Sequence, residues 1–339
     1  MAGIISLVSM INSVLWAIQV MLLGRRIAKT RIEEDPIFVI GHWRSGTTLL
    51  HELLVLDARH TYPDTYDCFA PNHFLISGWF ARPTLSLLMP KRRPMDNMEA
   101  GWDRPQEDEF ALCCLGVPSP YLTLAFPNHP PQYQEYLDLE SVSPQGRKRW
   151  KRGLRWFLKS LTIRTPKRIV LKSPPHTSRV KILLEMFPRA RFIHIVRNPY
   201  VLFPSTMNLW KRLYRDEGLQ VPKFEGLEEH VFQTFERMYE VFERDEALIP
   251  PGQLCEVRYE DLVANPVERM RTVYENLDLG NFEAVRPAIE AYFADKADYQ
   301  TNRYELAPEL RAEVTRRWGF FLDRYGYRQE LANGSAAGR

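Results

Sequence analysis

The sequence predicts a three-layer α/β fold, with a central parallel sheet flanked by helices and a helical and irregular insertion on one side of the alternation. Three observations predict it. Beyond Pro36, short β-branched runs alternate with helix-length amphipathic stretches. A loop with a glycine near each end, Gly41 to Thr48, stands between the first such run and the first helix. Between about Tyr62 and Gln145 the chain turns Pro- and aromatic-rich and loses its periodicity.

In chain order, Ile37–Ile40 reads as a buried strand bounded by Pro36 and Gly41, and Thr47–Leu56 as a helix with Leu49, Leu50, Leu53, Leu54 and Leu56 on its apolar face. After the insertion come a strand at Arg168–Leu171, a helix at Thr177–Phe187 and a strand at Arg191–Val196. A helix at Tyr200–Tyr214, another at Phe232–Leu248, a strand at Gln253–Tyr259 and a helix at Pro266–Leu277 complete the pattern. Strands linked by helices of this length imply parallel pairing, and ligands on such sheets bind at the carboxyl ends of the strands. The expected organisation is an apolar helix over residues 1–35, a single domain over 36–330 carrying an acceptor-site insertion at about 62–145, and a frayed tail at 331–339.

Composition narrows the function classes. The 339 residues carry 45 Lys+Arg against 42 Asp+Glu, a net charge of +3, with 45% hydrophobic and 26% charged residues. These values exclude a disordered chain, a collagen-like fibre and a polytopic membrane protein, and the small basic excess argues against a nucleic-acid partner. The four cysteines, Cys68, Cys113, Cys114 and Cys255, form neither a disulfide framework nor a zinc knuckle, which suits a reducing, cytoplasmic setting.

The N-terminal segment carries no charge from Gly3 to Gly24, and Arg25 and Arg26 follow at once. Roughly 20 such residues suffice to cross a bilayer. Ser6, Ser9 and Ser13 lay a polar stripe along the helix, so three readings stand open: a helix packing on its own domain, a membrane-surface helix, or a spanning anchor. A cleaved signal peptide fits less well, because no charged n-region precedes the run.

The most informative segment is Gly41-His42-Trp43-Arg44-Ser45-Gly46-Thr47-Thr48. Its glycines let the backbone wrap so that successive N–H groups face one anion, and the helix beginning near Thr47 adds its positive end. The loop is therefore P-loop-like, and the fold around it P-loop-like with it. It departs from the nucleotide-triphosphatase pattern at the position after the second glycine, where Thr47 stands in place of Lys; the cation comes earlier, at Arg44. The strand ending at Val196 carries no magnesium-holding acid but runs into Arg197, which argues for a transfer that needs no metal ion. An ATP-dependent phosphotransferase and a nucleotide-binding protein without catalysis remain as alternatives.

The segment Arg44-Ser45-Gly46-Thr47-Thr48 behind a hydrophobic strand, with Arg197-Asn198-Pro199 and Ser205 behind a later one, resembles the sulfotransferases. Leu171-Lys172-Ser173-Pro174-Pro175-His176 is similar to a segment of bacterial sulfotransferases and, more loosely, of tyrosylprotein sulfotransferases. Arg258-Tyr259-Glu260-Asp261-Leu262 resembles a further shared segment, and the likeness runs from about Pro36 to Tyr327. The resemblance implies transfer of a sulfuryl group from 3′-phosphoadenosine 5′-phosphosulfate (PAPS) to a hydroxyl or amine acceptor, leaving 3′-phosphoadenosine 5′-phosphate (PAP). It implies that Arg44, Ser45, Gly46, Thr47 and Thr48 hold the 5′-phosphosulfate and that Arg197 and Ser205 hold the 3′-phosphate. Lys172 would stabilise the leaving bridge oxygen.

For the general base the family uses a carboxylate or histidine, and a Glu beyond the loop in the tyrosylprotein enzymes. The matching neighbourhood here is Tyr62-Pro63-Asp64-Thr65-Tyr66-Asp67-Cys68, so Asp67 is the first candidate, one methylene (about 1.5 Å) shorter. The acidic run Glu107-Asp108-Glu109 is the second, ahead of His51 and His176; a solvated acidic turn is its structural alternative. The basic clusters Lys91-Arg92-Arg93 and Arg147-Lys148-Arg149 with Lys151-Arg152 read as solvated faces, or as contacts to an anionic acceptor or membrane. Phe69, Phe74, Trp79, Phe80 and Trp102 are candidates for an acceptor pocket lining, and Arg303 and Arg311 for reaching the donor phosphates. A small molecule, a carbohydrate or a lipid all fit as acceptor.

Overall fold

The computed structural model describes residues 2–86, 101–295 and 306–328. The frayed tail, Lys91-Arg92-Arg93 and Arg303 lie outside the described residues.

Five parallel strands form one sheet in the order β2-β3-β1-β4-β5, with β1 (Ile37–Ile40), β2 (His60–Thr61), β3 (Arg168–Lys172), β4 (Arg191–Val196) and β5 (Leu254–Arg258). The central strand pairs Val39 with Lys172 of β3 on one side and Ile40 with His194 of β4 on the other. Both faces are buried in apolar side chains. Phe38, Leu171, Phe192 and Val196 join one core, and Ile37, Val39, Val170, Ile193 and Ile195 the other, as expected for a parallel sheet covered on both sides.

Helix α1 (Ala2–Lys29) precedes the sheet, and α2 (Thr47–Val55) follows β1. The insertion supplies α3 (Thr65–Phe69), α4 (Phe74–Ser86) and α5 (Asp108–Cys114), then two short 3-10 turns. Helix α6 (Pro144–Arg164) leads into β3, and α7 (Val180–Met186) links β3 to β4. Beyond β4 come α8 (Pro199–Asp216) and α9 (Leu227–Asp245); β5 is followed by α10 (Tyr259–Ala264), α11 (Pro266–Leu277), α12 (Arg286–Asp295), α13 (Pro308–Arg317) and α14 (Gly319–Arg324).

The structure extends or divides several expected elements. Lys172 is the last residue of β3 rather than the first beyond it. The helix expected over Thr177–Phe187 is split: Pro174–Ser178 forms a 3-10 turn whose Ser178 hydroxyl bonds the carbonyls of Leu137 and Pro175, and α7 starts only at Val180. Helix α6 was not expected, although its sequence signals it. Ser143 caps it, Pro144 sits at its first position, and Trp150, Leu154, Phe157, Leu158 and Leu161 recur at helical spacing inside the core. Its basic clusters occupy the outer side.

Candidate active site

Because every strand points the same way, Gly41, Lys172, Arg197 and Tyr259 all emerge at one edge of the sheet. The loop after β1 is held tightly there. Gly41 adopts φ +143°, and a Cβ on it would stand 2.4 Å from the Ile195 carbonyl oxygen; Gly46 adopts φ +106°, and a Cβ would stand 2.4 Å from Cδ2 of Tyr259. Arg44 between them is also left-handed, at φ 69°. The Gly41 N–H donates to the hydroxyl of Thr177 at 2.8 Å, tying the loop to the turn after β3. Ser45 donates both its N–H (3.1 Å) and its hydroxyl (2.7 Å) to the His42 carbonyl, so this side chain braces the loop from within. Thr47 and Thr48 begin α2, where the first-turn N–H groups and the helix dipole favour an anion.

The two expected anion-binding segments meet. Arg44 donates through Nε to the Ser205 hydroxyl at 3.0 Å, and Arg197 donates through Nη1 to the Arg44 carbonyl at 3.0 Å. The Arg197 guanidinium lies 4.2 Å over the ring of Tyr259, which also walls Gly46. Glu260 accepts from the Asn198 N–H at 2.9 Å and from the Tyr327 hydroxyl at 2.9 Å. The segment from Arg258 to Leu262 therefore sits behind both clamps. Arg311 stacks on Tyr200 at 4.3 Å, at the start of α8.

Lys172 is almost wholly buried, and its ammonium meets Oε1 of Glu107 at 2.6 Å. The Tyr121 hydroxyl donates to Oε2 of the same carboxylate and accepts at 3.0 Å from the indole N–H of Trp43, a residue of the glycine loop. One unbroken chain of polar contacts, Trp43–Tyr121–Glu107–Lys172, thus joins the loop, the insertion and β3.

The acidic run is not a solvated turn. Asp108, fully buried, accepts from Ser173 Oγ and His176 Nε2, both at 2.8 Å. Burial alone would raise its carboxyl, but the charge and hydrogen bond of His176 outweigh that and hold it below the usual range. Glu109 is buried against Arg179 at 2.5 Å and takes the Ser119 hydroxyl. His176 is thereby bound up in packing between Phe38 and Trp150. His51 is fully buried on α2; burial, and then the Lys172 cation, hold its imidazole neutral with a pKa near 3.

Asp67 is placed differently. Asp64 and Asp67 form the capping box of α3, each side chain accepting the other's N–H. The carboxylate of Asp67 is fully buried, with Arg82 Nη2 at 2.6 Å on one oxygen and Arg164 on the other. Burial pushes its carboxyl up, to about 7, against the pull of Arg164. The structure therefore brings Lys172 together with Glu107 and not with Asp67. The sequence signal for this was the D-x-x-D spacing at a helix start.

Of the candidate pocket aromatics, Phe74 is buried against Phe157, and Trp102 packs edge-on to Tyr66; Phe69, Trp79 and Phe80 are exposed. Phe69 continues a row of rings through Phe110 (5.5 Å) to Tyr121 (5.2 Å), which ends at Glu107. All four cysteines are free thiols.

Comparison with known proteins agrees with this architecture. A family model described as "Sulfotransferase family" matches residues 36–283. The chain is 51% identical over 326 residues to the omega-hydroxy-beta-dihydromenaquinone-9 sulfotransferase Stf3 of Mycobacterium bovis, covering 96% of this chain and 84% of that protein. The same identity and coverage are found with the protein of that name from Mycobacterium tuberculosis. Among solved structures, sulfotransferase STF9 from Mycobacterium avium superposes with a TM-score of 0.68 at 20% identity, over 91% of this chain and 81% of its own. STF1 from Mycobacterium tuberculosis H37Rv gives 0.62 at 21% identity, over 89% and 80%.

Proposed function

The chain belongs to the sulfotransferase family, and from that premise we propose that it moves a sulfuryl group from PAPS to the hydroxyl of a lipid acceptor, with PAP as the second product. The observation that carries the proposal is the Lys172–Glu107 pair at the carboxyl end of β3, linked through Tyr121 and Trp43 to the glycine loop.

In this reading the Gly41–Thr48 backbone, Arg44 and the start of α2 hold the 5′-phosphosulfate, and Arg197 and Ser205 hold the 3′-phosphate. The glycine cradle fits an oxyanion, because the space a Cβ would take at Gly46 is closed by Tyr259 and the N–H groups must be approached closely. Lys172 neutralises the charge that grows on the bridging oxygen as its bond to sulfur breaks. Glu107 takes the proton of the acceptor hydroxyl as that oxygen forms the new bond to sulfur. Glu107 is preferred to Asp67 because its carboxylate sits beside the leaving-group cation Lys172, whereas Asp67 faces Arg82 and Arg164 in the capping box of α3. Positive charge in this scheme comes from Arg44, Lys172 and Arg197, so no metal ion enters it.

The acceptor is proposed as a hydroxylated lipid quinone of the kind for which the 51% identical relatives are named. The row Tyr121–Phe110–Phe69 supports it, an aromatic path from Glu107 to the exposed Phe69. A cytoplasmic site belongs to the same proposal and agrees with four free thiols.

Thermal shift tests the donor. PAP should raise the melting temperature, and ATP with Mg²⁺ should not; stabilisation by ATP·Mg²⁺ alone would remove the sulfotransferase donor. Radiolabelled PAPS with a hydroxylated menaquinone tests the acceptor. Label passing only to simple phenols or sugars would replace the lipid.

A further inference from the structure

Helix α1 is built inside out for a protein in water. Its inner seam is Asn12, Leu15, Gln19, Leu23 and Ile27, spaced three or four apart; Ile27 is wholly buried, and the two amides hydrogen-bond the domain. Asn12 Oδ1 lies 3.1 Å from Nε2 of His73, and Gln19 Oε1 accepts from the Leu75 N–H at 3.0 Å, both on the α4 side. Leu7, Met10, Ile11, Val14, Met21 and Leu22 point outward and are exposed, Met21 by 76%. A helix in water places such residues the other way round. The outward hydroxyl of Ser13 is turned back on the Ser9 carbonyl at 2.8 Å, which satisfies it without water.

Three further features identify the outer medium. Trp79 on α4 is 79% exposed with Phe80 beside it, and Trp79 lines one cavity with Leu23 and Arg26 of α1, which sets an exposed aromatic ring next to the basic end of that helix. The carboxyl end of α1 and the residues after it carry Arg25, Arg26, Lys29 and Arg31, all exposed, and no acid precedes Glu33. Finally, the helix lies along the domain rather than projecting from it: contacts run from Asn12 to the Ala28 carbonyl, which takes Lys159 Nζ at 2.6 Å, a length of about 24 Å. A helix so attached cannot cross a bilayer without immersing the domain.

We propose that α1 and the Trp79 side of α4 form a monotopic membrane face. The outer arc of α1 would sit in the acyl region of one leaflet, with Arg25, Arg26, Lys29 and Arg31 at anionic headgroups. Of the three readings open from the sequence, this selects the membrane-surface helix. It stands apart from the acceptor assignment, since its test reads vesicle binding and not turnover.

The full chain is floated with vesicles of 30% phosphatidylglycerol in phosphatidylcholine. It should float with them, more weakly but still measurably at high salt, where the ionic part is screened and the apolar part is not. Met10→Lys/Met21→Lys should lower the partition coefficient roughly tenfold or more, with an unchanged melting temperature because both side chains are exposed. Brominated-acyl phosphatidylcholine provides a measurement on the unmutated protein: it should quench tryptophan fluorescence, and Trp16→Phe/Trp79→Phe, which removes the exposed indoles of α1 and α4, should abolish the quenching. Protein that stays in the aqueous phase overturns the proposal. So does a lipid-free dimer, seen by light scattering, that Met21→Lys dissociates, because a second copy would then cover the face.

Discussion

Arg197 reaches across 153 positions of sequence to donate its Nη1 to the main-chain carbonyl of Arg44 at 3.0 Å. Arg44 in turn grips Ser205, eight residues beyond Arg197, through its own Nε at 3.0 Å. The residues expected at opposite ends of one donor are therefore parts of a single surface at the carboxyl edge of β1 and β4. Tyr259 backs it, touching Gly46 from one side and carrying the Arg197 guanidinium on its ring.

If that surface holds the donor, Arg197→Lys should raise the KM for PAPS by roughly 10- to 100-fold with a smaller change in kcat. A point charge cannot reproduce a planar fork, and a lost charge-assisted bond is worth about 1.5–3 kcal/mol. Ser205→Ala should act in the same direction and more weakly. Steady-state kinetics and calorimetric titration with PAP check both; an unchanged KM in each variant would take the 3′-phosphate away from this surface.

The two carboxylate candidates separate cleanly. Glu107→Gln should reduce kcat by about 10²- to 10⁴-fold while PAP still stabilises the fold. Asp67→Asn should leave turnover nearly intact and lower the melting temperature, since it removes the charge facing Arg82 and Arg164 and weakens the capping box of α3. The opposite pair of results would make Asp67 the base and Glu107 only a partner of Lys172.

Gly46→Ala should abolish PAP binding and reduce stability together. The new Cβ would sit 2.4 Å from Tyr259 and require φ +106°, which an L side chain rarely adopts. Adding Tyr259→Ala removes the clash but not the dihedral strain, so the double variant should recover only part of the melting temperature. Full recovery would show that the close approach alone matters.

Acid should weaken the fold through buried imidazoles. An unfolded histidine takes up its proton near 6.5, whereas His42 and His51, desolvated by burial, stay neutral down to about 3. Between those values the unfolded chain binds more protons, so stability declines as pH falls through the window. Each group contributes about 2 kcal/mol of that loss at pH 5. Melting temperatures at pH 7.5 and 5.0 should differ accordingly, and His51→Gln should shrink the difference; an equal drop in the variant would assign the acid sensitivity elsewhere.

Much of this was readable before folding, for definite reasons. The bounds of β1 and β4, and the start of α2 at Thr47, follow from β-branched runs closed by proline, glycine and arginine, signals a few residues long. Lys172, Arg44, Arg197 and Ser205 stand out through the resemblance to the sulfotransferases, and Lys172 and Arg197 also because they stand at strand ends of a parallel sheet. Other features carry no local signal. A strand of two residues, β2, shows no period. Glu107, Asp108 and Glu109 are adjacent acids that α5 directs to Lys172, His176 and Arg179, three partners lying more than sixty residues away. The serine stripe Ser6, Ser9 and Ser13 faces outward, and Asn12 and Gln19 face inward because His73 and the Leu75 N–H stand opposite them.

From the chain alone came four of the five strands, helices α2, α8, α9 and α11, the glycine loop and the cations that flank it, because backbone freedom and hydrophobic period are properties of neighbours. Which carboxylate meets Lys172, and which way α1 turns its apolar side, were decided only in three dimensions. A charge chooses its partner, and a helix its buried face, by the free energy of desolvation at the site where distant segments meet, and that environment exists only once the sheet has assembled.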